Sequence, residues 1–241
     1  MKRIIFFLLT VFFSATLIAQ DRVTLEPSGN IVTKNIGVQP FDVIEASGLY
    51  EMVLEEGDRE VVKIEADDNI QSMFSVSSNG GKLIIEMPGL KNHDINSKNK
   101  NERKSLKWKV YVTYKKLKRL DVSLVGNVTC STPLKSDAFE INSKAVGNIN
   151  LRITTNKLNV TNKGVGNVTL QGTATDAIVE NAGVGKFDGE ELVVQTMDIN
   201  NSGIGSADVN VEKNLKIKQS FLGRVRNKGN AKSNNGEGVV I

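Results

Sequence analysis

A short phrase recurs between Leu120 and Asn227, and it constrains the fold more than any other feature of the chain. Each copy contains an aliphatic residue, a glycine, a small or polar residue and a second apolar residue. The glycines are separated by 21, 19, 19, 20 and 18 residues. A sustained period near twenty residues in a β-rich segment is typical of a solenoid, in which each repeat buries its apolar face on its neighbours. The glycines of the six copies are Gly126, Gly147, Gly166, Gly185, Gly205 and Gly223.

Columns counted from these glycines predict which side chains form the core. The positions six before, two after and four after the glycine are mostly apolar, whereas those one and three after it are mostly polar. This pattern indicates two short parallel strands per coil, divided by a glycine corner, with the aliphatic residues inward. The position four before the glycine holds Asn162, Asn181 and Asn201 in successive copies. We expect these amides to stack at a corner and to hydrogen-bond from coil to coil.

The predicted fold is therefore all-β: a parallel β-helix, or solenoid, with coils of roughly 19–20 residues and few or no helices. We divide the chain into a signal peptide (1–19), a polar leader or extended arm (20–38) and one solenoid domain (39–241). Within the domain, residues 39–119 are predicted to form N-terminal strands and a loop, and residues 120–241 the glycine-marked repeats.

Two segments before the repeats carry local predictions. Asp67, Asp68 and Asn69 precede a short stretch that reads as one helical turn, so we expect a side-chain oxygen to cap it. Residues 91–105 are rich in Lys and Asn and almost free of apolar residues, which predicts a solvated loop that could contact a partner.

The N-terminus has the layout of a secretory signal peptide. Lys2 and Arg3 precede an apolar run over residues 4–18, and the chain turns polar after Ala19. The run is short for a membrane span, and no later segment is long and apolar enough to be one. We expect an exported protein, located in the periplasm, on the outer-membrane surface or outside the cell.

Charge and cysteine content narrow the chemistry. Without Lys2 and Arg3 the chain has 29 basic and 27 acidic residues, a net charge of +2, which gives no argument for nucleic-acid binding. Cys130 is the only cysteine and His93 the only histidine. One cysteine excludes an intramolecular disulfide, and we interpret Cys130 as a small core residue and His93 as a loop residue rather than members of a catalytic site.

The carboxylates offer the strongest case for chemistry. Asp188 and Asp208 occupy one outward column in adjacent coils, where stacked like charges repel unless a cation, a basic neighbour or protonation intervenes. Calcium prefers oxygen ligands of this kind, and paired carboxylates also perform glycoside hydrolysis. The alternative is a charged outer face that aids solubility, and it is the one we favour.

A basic run follows the loop. It could bind an anionic ligand, such as an anionic glycan, or it could pair with the acidic run over residues 42–68. Its members are Lys107, Lys109, Lys115, Lys116, Lys118 and Arg119.

The repeats resemble those of a known family. Ser202-Gly203-Ile204-Gly205 and Ala182-Gly183-Val184-Gly185, with Ser47-Gly48 near the start, resemble the Ser-Gly-x-Gly repeats of the GIN-domain family, which is common in Bacteroidetes. The resemblance covers roughly residues 39–241 and implies a right-handed parallel β-helix in an exported protein. Members of that family are labelled as adhesin head domains. This chain departs from the pattern at Lys144 and Lys163, which replace the repeat serine.

These observations favour an exported, non-enzymatic interaction module without a cofactor, whose partner is a glycan or an envelope or surface protein. Two alternatives stay open: a polysaccharide-active β-helix enzyme that uses the outward carboxylates, and a structural or assembly scaffold. The oligomeric state is not predicted.

Overall fold

The computed structural model describes residues 23–89, 93–95, 108–220 and 222–235. Within these ranges the chain forms eighteen strands, and Gln71–Met73 form a short 3₁₀ helix. The strands are β1 (Val23–Leu25), β2 (Ile31–Gly37), β3 (Phe41–Leu49), β4 (Glu51–Glu56), β5 (Val61–Asp67), β6 (Ser75–Asn79), β7 (Gly81–Glu86), β8 (His93–Ile95), β9 (Lys109–Tyr114), β10 (Arg119–Val125), β11 (Val128–Cys130), β12 (Leu134–Ser143), β13 (Ile149–Asn162), β14 (Val168–Asn181), β15 (Phe187–Asn201), β16 (Gly205–Gln219), β17 (Gly223–Asn227) and β18 (Ser233–Asn235).

The strands stack as parallel coils of about twenty residues and form a β-solenoid of about five turns, which confirms the predicted fold class. Each long strand from β13 to β15 pairs with the next coil along most of its length; β13 and β14, for example, pair from Ile149↔Val168 to Asn162↔Asn181. β16 pairs with β17 near its start and with β18 near its end. The first part of β13 pairs with β11 and the rest with β12. Parallel stacking thereby satisfies the backbone polar groups of each coil with those of the next.

The N-terminal strands extend this stack and then close it with antiparallel pairs. β3 and β4 lie under β10 and β11 in parallel register. On the other side, β7 pairs with β3 and β9 with β4, both in parallel. Strand β6 then pairs with β7, and β5 with β9, both in antiparallel register. Strand β2 is then added to β5 in antiparallel register, so part of the expected polar leader is an edge strand of the sheet.

Buried side chains follow the period of two along each coil. Most even positions counted from the corner glycine point inward, and they include the aliphatic columns six before and two after it. Glu191 and Gln219 are exposed exceptions. In the last coil Asn227 occupies an inward position, where its amide nitrogen donates to the carbonyl oxygens of Val211, Gly229 and Ala231. One continuous apolar core thus fills the coils, and a polar side chain ends it at the last coil.

Five of the six corner glycines, all except Gly223, are required both by backbone conformation and by space. Gly166 has φ +129°, and a Cβ built on it would overlap the carbonyl oxygen of Gly147 in the preceding coil. Gly126, Gly147, Gly185 and Gly205 share both properties. Any other residue at these corners would therefore push two coils apart.

Two local predictions need correction. The Asp67-Asp68-Asn69 segment provides no side-chain cap for the 3₁₀ helix. Asp67 instead accepts hydrogen bonds from the Trp108 indole (2.7 Å) and from the Gly29 amide (2.6 Å), and Asp68 accepts one from the Ser28 hydroxyl (2.6 Å). Both carboxylates thus hold the N-terminal arm against the solenoid. Their partners are distant in sequence, so a local sequence pattern could not reveal them.

The predicted loop over residues 91–105 lies mostly outside the described residues, but His93–Ile95 form β8 and pair in parallel with β1. That pairing is non-local, which explains why a loop was expected there. The predicted signal peptide also lies outside the described part of the chain. In the parts that are described, none of the helical structure is long and apolar enough for a membrane crossing.

Candidate functional site

The two stacked carboxylates lie in register, as predicted, and basic side chains neutralise them. Asp188 and Asp208 are paired positions of β15 and β16. The Lys186 ammonium lies 2.8 Å from Asp188 and 2.9 Å from Asp208, and the Arg226 guanidinium donates two hydrogen bonds to Asp208. A basic neighbour therefore relieves the like-charge repulsion that the sequence implied.

The electrostatics of this cluster do not suit proton transfer near neutral pH. Hydrogen bonds from Arg226 and Lys186 lower the pKa of the buried Asp208 from 3.8 to about 2. Hydrogen bonds to Asp188 and Asp208 raise the pKa of Lys186. A general acid or base works best with a pKa near the working pH, so these groups are set for a permanent ion pair. Among the described residues, no three His, Cys, Asp or Glu side chains are grouped to hold a metal ion.

The basic run pairs with the acidic run rather than facing solvent alone. Lys118 contacts Asp42 at 2.6 Å, and Lys109 and Lys115 lie 3.8 and 3.7 Å from Glu51 and Glu60. Arg119 pairs with Asp121, and Lys107 lies outside the described residues. Of the candidate anionic-ligand surface, Lys116 alone among the described members has no ion pair, so most of these basic side chains are already paired with carboxylates.

Cys130 is half-buried beside a shallow cavity of about 250 Å³ whose lining includes Thr129 and Gln171. Its sulfur accepts a hydrogen bond from the Arg152 amide at 3.1 Å. The side chain of the one histidine, His93, lies outside the described part of the structure.

An internal amide ladder connects consecutive coils at the corner. The Asn162 side chain donates to that of Asn181 at 2.8 Å, and Asn181 donates to Asn201 at 2.7 Å. All three are buried. The ladder ends at Asn201, which donates to the Gly205 carbonyl, while the next residue in the column, Gln219, is exposed.

A second asparagine column runs along the outside of the corner. Each side-chain oxygen accepts a hydrogen bond from a backbone N–H of the next coil. Asn127 accepts from the backbone N–H of Asn148, Asn148 from that of Asn167, and Asn167 from that of Lys186, at 3.0 to 3.1 Å. The sequence predicted that these side chains point outward. Their oxygens nevertheless hold adjacent coils together, so they are in part structural.

Between these columns runs an apolar ladder on the outer surface, which we call the corner ridge. Its members are the aliphatic residues directly before the glycines, 45 to 63% exposed, and isolated parallel bridges stack the first five of them. Monomeric proteins rarely expose a long contiguous apolar patch unless it binds something. The corner ridge consists of Val125, Val146, Val165, Val184, Ile204 and Leu222.

The two columns that flank the corner ridge contain no acidic residue. One lies three positions before the glycine and includes Lys144 and Lys163; the other lies one position after it and includes Lys186 and Arg224. Within the described residues, Lys144, Lys163 and Arg224 form no ion pair. The ridge is therefore bordered by cations and neutral polar groups only.

The sequence interpretation missed the corner ridge because it assigned every aliphatic residue of the phrase to the core. That assignment is wrong for the residue before the glycine. The period of two was the available signal: a residue one position from an inward glycine must point outward. Val168, two positions after Gly166, is buried, whereas Val165 is 51% exposed.

The family and fold comparisons agree with one another. Residues 40–231 match the family model described as "Putative auto-transporter adhesin, head GIN domain". A crystal structure from Bacteroides fragilis, described as a putative adhesin, shares 25% sequence identity and a TM-score of 0.69, over 87% of this chain and 98% of that chain.

Two further structures show the same fold at lower identity. A "putative adhesin" from Parabacteroides merdae has 19% identity and a TM-score of 0.58, over 88% of this chain and 98% of its own. A "putative lipid binding protein" from Parabacteroides distasonis has 20% identity and a TM-score of 0.58, over 88% and 100%. No curated protein matches the chain significantly.

Proposed function

Since this chain belongs to the head GIN domain family, whose description names an adhesin, we propose that it is an exported, non-enzymatic interaction module. It binds a component of the cell envelope or cell surface through the corner ridge and its flanking columns. The observation that carries the proposal is the ridge itself: six stacked aliphatic side chains, each 45 to 63% exposed.

The state of the outward carboxylates supports binding over catalysis. A glycoside hydrolase needs one carboxylic acid and one free carboxylate on either side of the scissile bond. Asp208 is buried and held by two basic side chains, and Asp188 shares one of them. Neither carboxylate has the freedom that the rival enzyme mechanism requires.

The rigidity of the corner supports a binding role in a second way. Backbone ladders, the internal amide ladder and the outer asparagine column all fix the residues on either side of the ridge. A surface that is already ordered loses little conformational entropy on association. The ridge is therefore preorganised to meet a partner without rearrangement.

The apolar nature of the ridge sets a condition on the partner. Aliphatic side chains gain from contact with apolar groups, so the bound component must present an apolar part as well as polar groups for the flanking columns. A glycan or an envelope protein, the partners expected from the sequence, stays a prediction. Export through the N-terminal segment likewise stays a prediction.

Binding to isolated envelopes tests the proposed function. The ridge variant Val146→Thr/Val165→Thr/Val184→Thr keeps β-branched side chains of similar volume and removes three outward methyl groups. Ile178→Thr is the matched control, because Ile178 is 55% exposed but lies off the ridge. We expect wild type and the control to bind envelopes in a saturable way and the ridge variant to bind about tenfold more weakly. Equal binding by the ridge variant would refute the assignment of the ridge.

A further inference from the structure

We propose that the corner ridge docks on an anionic lipid surface, with its aliphatic side chains in the interface and the flanking cations on lipid phosphates. This inference rests on the proposed function and names the component of the envelope that the ridge contacts. The contact would place the long axis of the solenoid along the membrane plane.

The shape of the ridge favours an extended surface over a small ligand. Small-molecule sites are concave and enclose most of their ligand. The ridge is an outward corner one residue wide: Gly164, directly before Val165, is buried, and the exposed residues two positions to either side of Val165, Lys163 and Asn167, are polar. A convex edge of this kind cannot enclose a ligand, whereas a deformable lipid interface can receive it.

The length of the ridge gives it enough contacts to act as an anchor. Six positions stacked at the spacing of neighbouring strands form a line about 24 Å long. Exposure is greatest at the C-terminal end, where Ile204 is 56% and Leu222 63% exposed. The larger side chains stand at that end, so the C-terminal coils would insert most deeply.

The charge around the ridge fits an anionic surface. Lys144 and Lys163 lie beside the ridge valines in one flanking column, and Arg224 follows the last corner glycine in the other. Acidic residues begin only in the next outward columns, for example at Glu180 and Asp188. A basic border without acids beside an exposed apolar stripe is the combination that binds anionic membrane surfaces.

A second copy of the chain fits the ridge less well. A stable dimer buries about 800 Å² on each partner, which is more than a stripe one residue wide provides. The small area of the ridge therefore favours a lipid surface over a second copy of the chain.

Vesicle flotation with the exported protein tests the inference. The protein is recovered after export, and N-terminal sequencing verifies that residues 4–18 are gone, because that apolar segment would bind lipid itself. Wild type is mixed with vesicles of phosphatidylethanolamine and phosphatidylglycerol, and separately with phosphatidylcholine alone. We expect flotation with the anionic vesicles, weaker flotation at high salt, and little with phosphatidylcholine.

Matched variants separate the two parts of the contact. The ridge variant should lose affinity for anionic vesicles by about tenfold or more. Lys144→Gln/Lys163→Gln should also lose affinity and most of its salt dependence. Ile178→Thr and Lys135→Gln/Lys213→Gln change exposed residues outside the ridge and its flanking columns, and should float as wild type does.

The outcomes distinguish this inference from the proposed function. Absence of wild-type flotation, or equal flotation by the ridge variant, overturns lipid docking. If wild type fails to float while the ridge variant still loses binding to whole envelopes, the ridge binds another envelope component and the proposed function stands. If the ridge variant matches wild type in both assays, both proposals fail.

Discussion

Replacement of a corner glycine should destabilise the solenoid far more than replacement of a glycine in an open turn. In Gly166→Ala, a methyl group is introduced at φ +129° and overlaps the carbonyl oxygen of Gly147. The neighbouring atom is backbone, so the overlap is relieved only if adjacent coils separate. Because the corner repeats in every coil, the strain cannot be absorbed at a flexible end.

The magnitude follows from two contributions. Backbone strain at a sparsely populated conformation costs about 1–3 kcal/mol. Separating these two coils weakens the hydrogen bonds between them, from the Gly147 amide to the Val165 carbonyl and from the Val165 amide to the Ala145 carbonyl, both 2.8 Å long, at about 1 kcal/mol each. We therefore expect Gly166→Ala to lower the free energy of unfolding by about 3–5 kcal/mol.

Two control substitutions divide this total. Gly80 has φ +58° with open space around its would-be Cβ, so Gly80→Ala carries backbone strain alone and should cost about 1–2 kcal/mol. Gly37 also has open space and no positive φ, so Gly37→Ala should be neutral or slightly stabilising. Urea midpoints of the three variants give the comparison. If Gly166→Ala is no less stable than Gly80→Ala, the close approach of the coils is not what requires glycine.

Three other predictions concern buried polar groups. Asn181→Ala breaks the internal amide ladder on both sides and should lower the free energy of unfolding, measured in urea, by about 2–4 kcal/mol. The control Asn200→Ala, on the exposed face, should change it little. An equal loss in both variants would argue that the ladder does not stabilise the fold. The second prediction concerns Asp208, whose pKa is lowered to about 2 in the folded state. The ionised Asp208 therefore stabilises the fold fully above its unfolded pKa, near 4, and this stabilisation is lost as the pH falls toward 2. Between pH 4 and pH 2, the free energy of unfolding of wild type should fall by about 2 kcal/mol more than that of Asp208→Asn. Urea midpoints at several pH values measure the difference. Asp67→Ala removes the acceptor of the Trp108 indole and should shift the emission of this single tryptophan and speed amide exchange in β2, while exchange in β13–β16 stays slow; unchanged emission and exchange would show that Asp67 does not hold the arm.

The regular part of the fold could be predicted from sequence because its rules are local and repeated. A glycine every twenty residues and alternating apolar positions place Val160, Val179 and Ile199 in the core, and they are buried. The Asn162–Asn181–Asn201 contacts were likewise visible, because stacking brings equivalent positions together.

The remainder depended on contacts between distant segments or on surface geometry. The antiparallel pairing of β2 with β5 and the hydrogen bonds to Asp67 join residues far apart in sequence. The charges of Asp188 and Asp208 were visible, but the lysine and arginine that neutralise them depend on the register of adjacent coils. The corner ridge was missed for another reason: apolar character was taken for burial, although alternation places Val165 outside.

A fluorescent reporter on the corner ridge tests the central claim that the ridge is the binding surface. In a Cys130→Ser background, a polarity-sensitive dye is attached at Val165→Cys or, as a control, at Ile178→Cys, which is exposed elsewhere. On addition of isolated envelopes, we predict a saturable blue shift of the dye at position 165 and no change at position 178. A shift at 178 with none at 165 would contradict the account.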